Sequence, residues 1–415
     1  MIIKERAGAT RGTLVAAAAL GLSAALLPPT APVAAATGWS YANLSTFIGA
    51  PVAHGPQWGF TTRLAGESSE GGRVVYFTTT GHIQELTVGP GGWRSTDLTA
   101  LTKSPPPGDP HIYGFRTEIS GESPAGRVVY RGYDNHIHEL SVTHNGWHHA
   151  DLTALTGAPA AASAPFGYTT RLDGQGQVAR VVYRTSANRI QELSISTAAG
   201  GWRSTDLTAA TGAPQAAGIP YAFTAHLPGD TPSARVVYQT TAGHVQELTY
   251  GRLNRWFTAD LSQITKAPPA AGAPFGYVTD FAGQGQAARI VYRTGTGHLQ
   301  ELVVGRTGYW STANLTTLIG APAAAPGAPV HGYATAFPGQ GSVGRVVYRT
   351  VSGSIHELAV RPTGWTSTSL SGASGAPGGS AAPTAFVTDL AGHGPGARIL
   401  YPNGIGQVIE IAGGR

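Results

Sequence analysis

The chain has 415 residues, of which 58 are glycine and 29 are proline, and its formal net charge is +5 at pH 7. With 41% hydrophobic residues it is too apolar for a disordered polypeptide, and the absence of cysteine excludes disulfides and thiolate metal sites. Lys and Arg are spread along the chain without clusters, which argues against nucleic acid as a partner.

The N-terminal segment has the pattern of a secretory signal peptide. Three basic residues among the first eleven precede an apolar run from Thr13 to Leu27, and three alanines in a row end at Ala36. The run is shorter than the roughly 20 residues that a membrane-spanning helix needs, and we expect no other segment to cross a bilayer. We therefore expect residues 1–36 to be removed near Ala36, residues 37–415 to form one folded domain, and the protein to be secreted.

Seven copies of one unit follow, each marked by Arg, two branched apolar residues and Tyr. These copies recur at spacings of 53 to 56 residues and begin at Arg73, Arg127, Arg180, Arg235, Arg289, Arg345 and Arg398. A glutamate stands twelve residues after each arginine, at Glu85, Glu139, Glu192, Glu247, Glu301, Glu357 and Glu410. A tryptophan follows the first six glutamates by eight to ten residues, at Trp93, Trp147, Trp202, Trp256, Trp310 and Trp365.

The seventh copy ends before its tryptophan, and the missing piece stands near the other end of the chain. Residues Trp39 to Leu44 match Trp310 to Leu315, so the repeat is circularly permuted. Each unit is predicted to form four short strands, which in the third copy are Tyr168 to Leu172, Arg180 to Thr185, Arg189 to Ser194 and Trp202 to Leu207.

Four strands per repeat of about 40–50 residues are typical of a propeller blade. The predicted fold is all-β, a seven-bladed β-propeller with four antiparallel strands per blade. The N-terminal strand, Trp39 to Leu44, completes the last blade and closes the ring. A linear β-solenoid fits less well, because it would need capping repeats and gives the permuted strand no role.

The turn between the second and third strands predicts their register. Its last position is always Gly or Asn, at Gly81, Asn135, Asn188, Gly243, Gly297, Gly353 and Gly406. The position before it varies, which favours a type I turn followed by one left-handed residue over a type I′ turn. In that register Arg73 lies opposite Thr87 and Glu85 opposite Val75, so Arg73 and Glu85 share a face as diagonal neighbours.

The repeated Arg, Glu and Trp have two interpretations. They can be structural, with Arg and Glu paired to each other or to the next blade and Trp packed between blades. They can also form sugar sites, because charged groups make strong hydrogen bonds to hydroxyls and an aromatic face covers the C–H side of a sugar ring. Seven equivalent clefts would then bind multivalently.

The order Arg, apolar, Tyr, turn Gly, Ile-x-Glu and Gly-Trp resembles the blade motif of the fungal and bacterial fucose-binding β-propeller lectins, including their seven-bladed bacterial relatives. The resemblance extends from Trp39 to Ile411, although Arg stands three residues before Tyr here and two before it in the family. It implies a lectin without cofactor that binds glycans or glycoconjugates, with oligomers possible. In that family Arg and Glu bind sugar hydroxyls, and Trp or Tyr of an adjoining element stacks on the sugar.

The resemblance assigns carbohydrate binding to the residues of all seven repeats. They are Arg73, Glu85, Trp93, Arg127, Glu139, Trp147, Arg180, Glu192, Trp202, Arg235, Glu247, Trp256, Arg289, Glu301, Trp310, Arg345, Glu357, Trp365, Arg398, Glu410 and Trp39.

Catalysis and metal binding are not expected. Glycoside hydrolysis usually needs two carboxylates in unlike environments, whereas the glutamates here recur in equivalent settings. The second copy is rich in histidine, at His111, His136, His138, His144, His148 and His149. A metal site is conceivable there, but because most copies have one histidine or none, we expect a solvated, glutamine-like role and no metal.

The alternative function is a scaffold for protein partners. It would use variable loops such as Ser104 to Pro110 and Gly372 to Pro383, and the repeated residues would be buried. The solvent exposure of Glu192 and Trp202 distinguishes the two functions.

Overall fold

The computed structural model describes residues 38–413, apart from 65–69, 90, 120–124, 174–175, 197–199, 252 and 391–393. The expected signal peptide lies outside these residues. The described chain forms seven four-stranded antiparallel sheets, and the first strands of adjacent sheets contact each other around a common centre. The predicted seven-bladed β-propeller is thus confirmed. No helix of the described residues has the length and apolarity of a membrane span.

The strands are grouped here by their position in a blade. The outermost strands are β1 (Ser40–Asn43), β5 (Gly92–Asp97), β9 (Gly146–Asp151), β13 (Arg203–Asp206), β17 (Trp256–Asp260), β21 (Ser311–Asn314) and β25 (Gly364–Ser369). The innermost strands are β2 (Trp58–Thr62), β6 (Tyr113–Thr117), β10 (Phe166–Leu172), β14 (Tyr221–Ala225), β18 (Phe275–Phe281), β22 (His331–Phe337) and β26 (Thr384–Leu390).

Two central strands complete each blade. The second strands are β3 (Gly71–Phe77), β7 (Ala125–Arg131), β11 (Gly176–Arg184), β15 (Ser233–Gln239), β19 (Gly285–Arg293), β23 (Gly341–Arg349) and β27 (Gly394–Pro402). The third strands are β4 (Ile83–Gly89), β8 (Ile137–Thr143), β12 (Ile190–Ser196), β16 (Val245–Tyr250), β20 (Leu299–Val304), β24 (Ile355–Arg361) and β28 (Val408–Gly413). Blades 1 to 6 run in chain order from β2, and blade 7 consists of β26, β27, β28 and β1.

The N-terminal strand closes the ring as predicted. Strand β1 pairs antiparallel with β28, with Ser40 opposite Ala412 and Asn43 opposite Ile409. The Asn43 side chain also donates to Gln407 Oε1 at 2.9 Å. Both chain ends of the domain are therefore held in one sheet, whose outer edge would otherwise present unpaired backbone groups.

The predicted register between the second and third strands is also confirmed. Arg73 lies opposite Thr87, and Val75 lies opposite Glu85. The last turn residue is left-handed, with φ 87° at Gly81 and 59° at Asn188. The turn therefore adds one residue to a two-residue hairpin loop and fixes which side chains share a face.

Each blade buries its second strand on both faces. Val74, Val75 and Tyr76 are fully buried, which explains the unbroken apolar run after the repeated Arg. The Tyr76 hydroxyl donates to the Pro51 carbonyl at 2.8 Å, and the equivalent tyrosine does the same in every blade. The motif tyrosine therefore ties the proline-rich linker to the sheet.

Adjacent blades pack through an aromatic side chain laid over a small residue. A Cβ at Gly114 would lie 2.1 Å from Cε1 of Phe60 in the preceding blade, so only glycine fits beneath that ring. Phe386 of blade 7 covers Gly59 of blade 1 in the same way, which extends the contact across the ring closure. The aromatic residues at this position are Phe60, Phe115, Tyr168, Phe223, Tyr277, Tyr333 and Phe386.

The centre of the ring is filled by the first side chains of the innermost strands. Trp58 stacks on His331 with ring centroids 4.9 Å apart, and Trp58, Tyr113 and Phe166 contact each other edge to face. Burial lowers the pKa of His331 to about 3, so it is neutral in the folded protein at physiological pH. The centre is therefore a packed aromatic core rather than an open channel.

A helix of five residues follows each outermost strand. These helices are α1 (Leu44–Ile48), α2 (Leu98–Thr102), α3 (Leu152–Thr156), α4 (Leu207–Thr211), α5 (Leu261–Thr265), α6 (Leu315–Ile319) and α7 (Leu370–Ser374). Leu44 and Leu207, predicted to end strands, instead begin helices, because the preceding residue is an N-cap. Asp206, for example, accepts from the Ala209 N–H at 2.8 Å.

Candidate functional site

The repeated Arg and Glu form an ion pair within each blade. Arg180 donates from Nη1 to Glu192 Oε1 at 2.7 Å, and its Nε donates to Thr170 Oγ1 at 3.0 Å. The seven pairs are Arg73–Glu85, Arg127–Glu139, Arg180–Glu192, Arg235–Glu247, Arg289–Glu301, Arg345–Glu357 and Arg398–Glu410. The diagonal arrangement predicted from the turn therefore occurs in every copy.

These pairs are nearly inaccessible to water. No glutamate of the set is more than 4% exposed, and Glu192 is 2% exposed, whereas Trp202 is half-buried. Burial raises the pKa of the Glu192 carboxyl above its ordinary value, while Arg180 and the Tyr168 hydroxyl oppose that shift. Buried charges are tolerated in proteins when they are paired and hydrogen-bonded, and each pair links the second and third strands of its blade.

At five of the seven pairs an aromatic residue of the next blade lies over the arginine. The Arg73 guanidinium carbon lies 5.9 Å from the centre of the Trp147 ring. Burial raises the pKa of the Glu85 carboxyl, and Arg73 and a hydrogen bond from Trp147 oppose that shift. Trp202 covers Arg127, Trp365 covers Arg289 and Trp93 covers Arg398 at 5.7 to 5.9 Å. Trp93 therefore belongs with the seventh repeat's Arg and Glu and not with those of its own repeat.

Three tryptophans are placed differently. Tyr250 takes the position over Arg180, at 5.3 Å, and Trp256 packs against Tyr250. Trp39 packs against the apolar cluster that contains Tyr333 of blade 6. Trp310 lines a cavity, described next.

An open cleft lies between blades 4 and 5. Arg235, Glu247 and Trp310 line a cavity of about 380 Å³, together with Asp230 and Arg306 from the bordering loops. Arg235 donates to Glu247 Oε1 at 2.7 Å, and among the described residues no aromatic ring stacks on Arg235. The cavity places a carboxylate, a guanidinium and an indole side by side, although Glu247 is only 4% exposed and Arg235 only 6% exposed.

The hydrogen-bond partner of the second carboxylate oxygen, Oε2, of the repeated glutamate differs between blades. The sequence analysis did not predict this difference. Tyr168 donates to Glu192 Oε2 at 3.1 Å and Tyr333 donates to Glu357 Oε2 at 2.7 Å. In blade 4 the equivalent residue is Phe223, and Arg235 is the one described side chain that hydrogen-bonds Glu247. The signal in the sequence was whether Phe or Tyr stands at this position of the innermost strand.

Comparison with known proteins finds lectins. Residues 120–325, about half of the chain, match the family model described as fungal fucose-specific lectin. The BP39L lectin from Burkholderia pseudomallei aligns with a TM-score of 0.63 and 15% identity, over 86% of this chain and 95% of that one. That likeness supports the fold. The sequence matches no curated protein.

Two fungal structures align less closely. Aleuria aurantia lectin, described as a six-bladed β-propeller with a novel fucose recognition mode, has a TM-score of 0.47 and 17% identity, over 76% of this chain and 94% of that one. AofleA from Arthrobotrys oligospora has a TM-score of 0.48 and 14% identity, over 80% and 89%.

Proposed function

This chain resembles the fucose-binding β-propeller lectins, as its blade motif predicted, and we propose that it binds carbohydrate in the clefts between adjacent blades. The observation that carries the proposal is the open cleft of blades 4 and 5. There Arg235, Glu247 and Trp310 line one cavity of about 380 Å³, within the size range of small-molecule sites.

The chemistry of this cleft suits a monosaccharide. The Glu247 carboxylate accepts hydrogen bonds from sugar hydroxyls, and the remaining N–H groups of Arg235 donate to sugar oxygens. The half-buried Trp310 offers an aromatic face to the C–H side of the ring. Because Arg235 and Glu247 are held together by a buried ion pair, both are preorganised and lose little conformational entropy on binding.

In five other clefts an aromatic ring of the next blade lies over the arginine. Where Trp147 covers Arg73, a sugar must displace the indole before it reaches the pair, so binding there is weaker than at Glu247. Multivalent binding to a glycan surface would use this cleft together with the equivalent clefts of other blades. We propose a fucose-type sugar because residues 120–325, which match the fucose-specific family model, contain the open cleft.

We also propose that the protein is secreted and that residues 1–36 are removed. The support is the sequence pattern of the N-terminal segment, which precedes the described residues. Secretion would bring the clefts into contact with glycans outside the cell.

The test is calorimetric titration of residues 37–415 with methyl α-L-fucoside, methyl α-D-mannoside and methyl β-D-galactoside. We expect saturable binding of one of these sugars. Glu247→Gln should weaken the tightest site about tenfold or more, because a charge-assisted hydrogen bond is lost. Glu192→Gln, the same change in a closed cleft, should leave that site unchanged. Trp310→Ala should also weaken it, and it leaves the ion pair in place.

A protein-binding scaffold is the second candidate, and the burial of all seven glutamates favours it. It predicts that none of these sugars binds while the thermal unfolding of the protein is normal. Equal effects of Glu247→Gln and Glu192→Gln on sugar affinity would contradict the open-cleft site but not carbohydrate binding itself.

A further inference from the structure

Blade 2 departs from the repeat at four positions around the turn between β7 and β8. Gly132 stands where five blades have threonine and blade 7 has Asn403, and Asp134 stands where no other blade has a charge. His138 replaces the glutamine of four blades, and His149 replaces a serine or threonine in five. In those four blades the glutamine donates to the hydroxyl of that serine or threonine.

The substituted side chains converge on one point. His138 is 1% exposed, and its Nε2 lies 3.2 Å from both carboxylate oxygens of Asp134. Asp151, the N-cap of α3, contributes a third group, and one ligand atom from each of these three residues lies within 4.8 Å of the others. The arrangement brings one imidazole nitrogen and two carboxylates together at the end of a blade.

Gly132 makes room for this cluster. A Cβ at this position would lie 2.4 Å from Asp134 Oδ1 and 2.8 Å from His138 Nε2, so no other residue fits without displacing them. In blade 1 the equivalent Thr78 uses its hydroxyl to accept from the His82 N–H at 3.0 Å. In blade 2 Asp134 Oδ1 accepts from the equivalent His136 N–H at 3.0 Å instead, and the space left by the missing side chain at Gly132 faces the Asp134 carboxylate and the His138 imidazole.

A second set of contacts orients the three groups. The far nitrogen of His138, Nδ1, lies 3.1 Å from His149 Nε2, and the Tyr130 ring stacks on His138 at 5.3 Å. Asp151 Oδ2 lies 2.7 Å from His136 Nδ1, and its Oδ1 accepts from the Ala154 N–H at 2.9 Å. Metal-binding histidines and carboxylates have such outer partners, which fix the ring tautomer and the carboxylate orientation.

We propose that blade 2 binds a divalent transition-metal ion, with Zn²⁺ the best fit, through His138 Nε2, Asp134 and Asp151, with the fourth position open to water. Ligands about 2.0–2.1 Å from a tetrahedral Zn²⁺ lie roughly 3.3 Å apart, close to the 3.2 Å between His138 and Asp134. Mixed nitrogen and oxygen ligands suit this class of ion, whereas Ca²⁺ takes six to eight oxygens. The expectation of no metal, drawn from the repeat pattern, is the one that this proposal replaces.

The metal site is distinct from the sugar cleft. The turn between the second and third strands lies at the end of the blade opposite the turns that border the cleft of blades 4 and 5, since successive turns of an antiparallel sheet alternate ends. The two proposals therefore fail or succeed separately.

The chain supplies a matched control in blade 6. His356 occupies the position of His138, but Ser352 and Ser369 stand where blade 2 has Asp134 and Asp151. A histidine at this position without the carboxylates should not bind a metal ion tightly.

The experiment is titration of residues 37–415, freed of metal with a chelator and dialysed, with ZnCl₂ by calorimetry and with Co²⁺ by visible absorption. We expect one tight site. Its affinity should fall about tenfold or more in His138→Gln and in Gly132→Thr, each of which restores the residue of other blades. His356→Gln should bind like the wild type, and Zn²⁺ should raise the Tm of the wild type but not of His138→Gln.

The chain has 14 histidines, so weak surface binding of Zn²⁺ is expected in every variant and does not count as the site. The proposal is wrong if folded wild-type protein binds no stoichiometric Zn²⁺. It is equally wrong if His138→Gln and Gly132→Thr keep wild-type affinity, or if Ca²⁺ binds tightly and Zn²⁺ does not.

Discussion

The packing between blades predicts that Gly332→Ala changes the stability of the protein less than the same substitution at other blade interfaces. At five of the seven interfaces the aromatic side chain lies over a glycine, and at the other two Tyr168 and Tyr333 are followed by Ala222 and Ala385. Those two tyrosines hydrogen-bond the buried glutamate of their own blade. Tyr277 lies over glycine instead, and among the described residues its buried hydroxyl has no partner.

The expected change in the free energy of unfolding follows from the distance between the added Cβ and the tyrosine ring. A Cβ at residue 332 would lie 2.2 Å from Tyr277 Cδ1, so the ring must move. At Gly114 the same change displaces Phe60 with no gain, and overpacking of this kind costs about 1–3 kcal/mol. Tyr277 can move to the position that Tyr168 and Tyr333 adopt, where a hydrogen bond to a carboxylate contributes about 1.5–3 kcal/mol. Gly332→Ala should therefore be near neutral, and Gly114→Ala clearly destabilising.

Guanidinium chloride unfolding of a double-mutant cycle measures this coupling. Tyr277→Phe should be neutral or slightly stabilising in the wild type, because it removes an unpaired hydroxyl. In the Gly332→Ala background it should destabilise by about 1.5–3 kcal/mol, because it then removes the new bond to Glu301. Tyr333→Phe in the wild type measures the stability lost when a tyrosine–glutamate hydrogen bond that is already present, Tyr333 to Glu357, is removed.

Two results would refute the reasoning. One is a Gly332→Ala variant as destabilised as Gly114→Ala, since the tyrosine would then have no favourable alternative position. The other is an equal effect of Tyr277→Phe in both backgrounds, which would mean that residue 332 does not control the ring.

Two further predictions concern the centre and the closure of the ring. An unfolded histidine titrates near 6.5, whereas His331 has a pKa of about 3 when folded. The unfolded state thus binds an extra proton as the pH falls below about 6.5, and stability drops by up to about 1.4 kcal/mol per pH unit. His331→Phe should show a shallower loss between pH 7 and pH 5 in denaturant titrations; an unchanged slope would contradict this assignment. A circular permutant with residues 38–49 linked after residue 413 keeps the β1–β28 pairing and should melt near the wild-type Tm by circular dichroism. Deleting residues 38–49 should lower the Tm strongly, and an unchanged Tm would mean that β1 does not close the ring.

The sequence determined the blade and its internal contacts. The spacing of the repeats gave seven units, the displaced Trp39 segment gave the closure, and the Gly or Asn of each turn gave the register that brings Arg73 to Glu85. The short helices were not predicted, although Asp, Asn or Ser stands at the N-cap in every copy. These features are local, because hydrogen-bond pairing within one sheet depends on turn chemistry and alternation over a few residues.

Only the tertiary structure decided what happens between blades. It placed Trp147, not Trp93, over Arg73, and it left Trp310 beside an open cavity while other tryptophans cover their arginines. It also decided that the Tyr277 hydroxyl does not bond the glutamate of its own blade, whereas the Tyr168 hydroxyl does. The physical reason is that the tilt and depth of each blade result from many weak apolar contacts summed around the whole ring. The two tyrosines that reach their glutamates lie next to Ala222 and Ala385 of the neighbouring blade, and the one that does not lies over Gly332, so no single repeat carries that information.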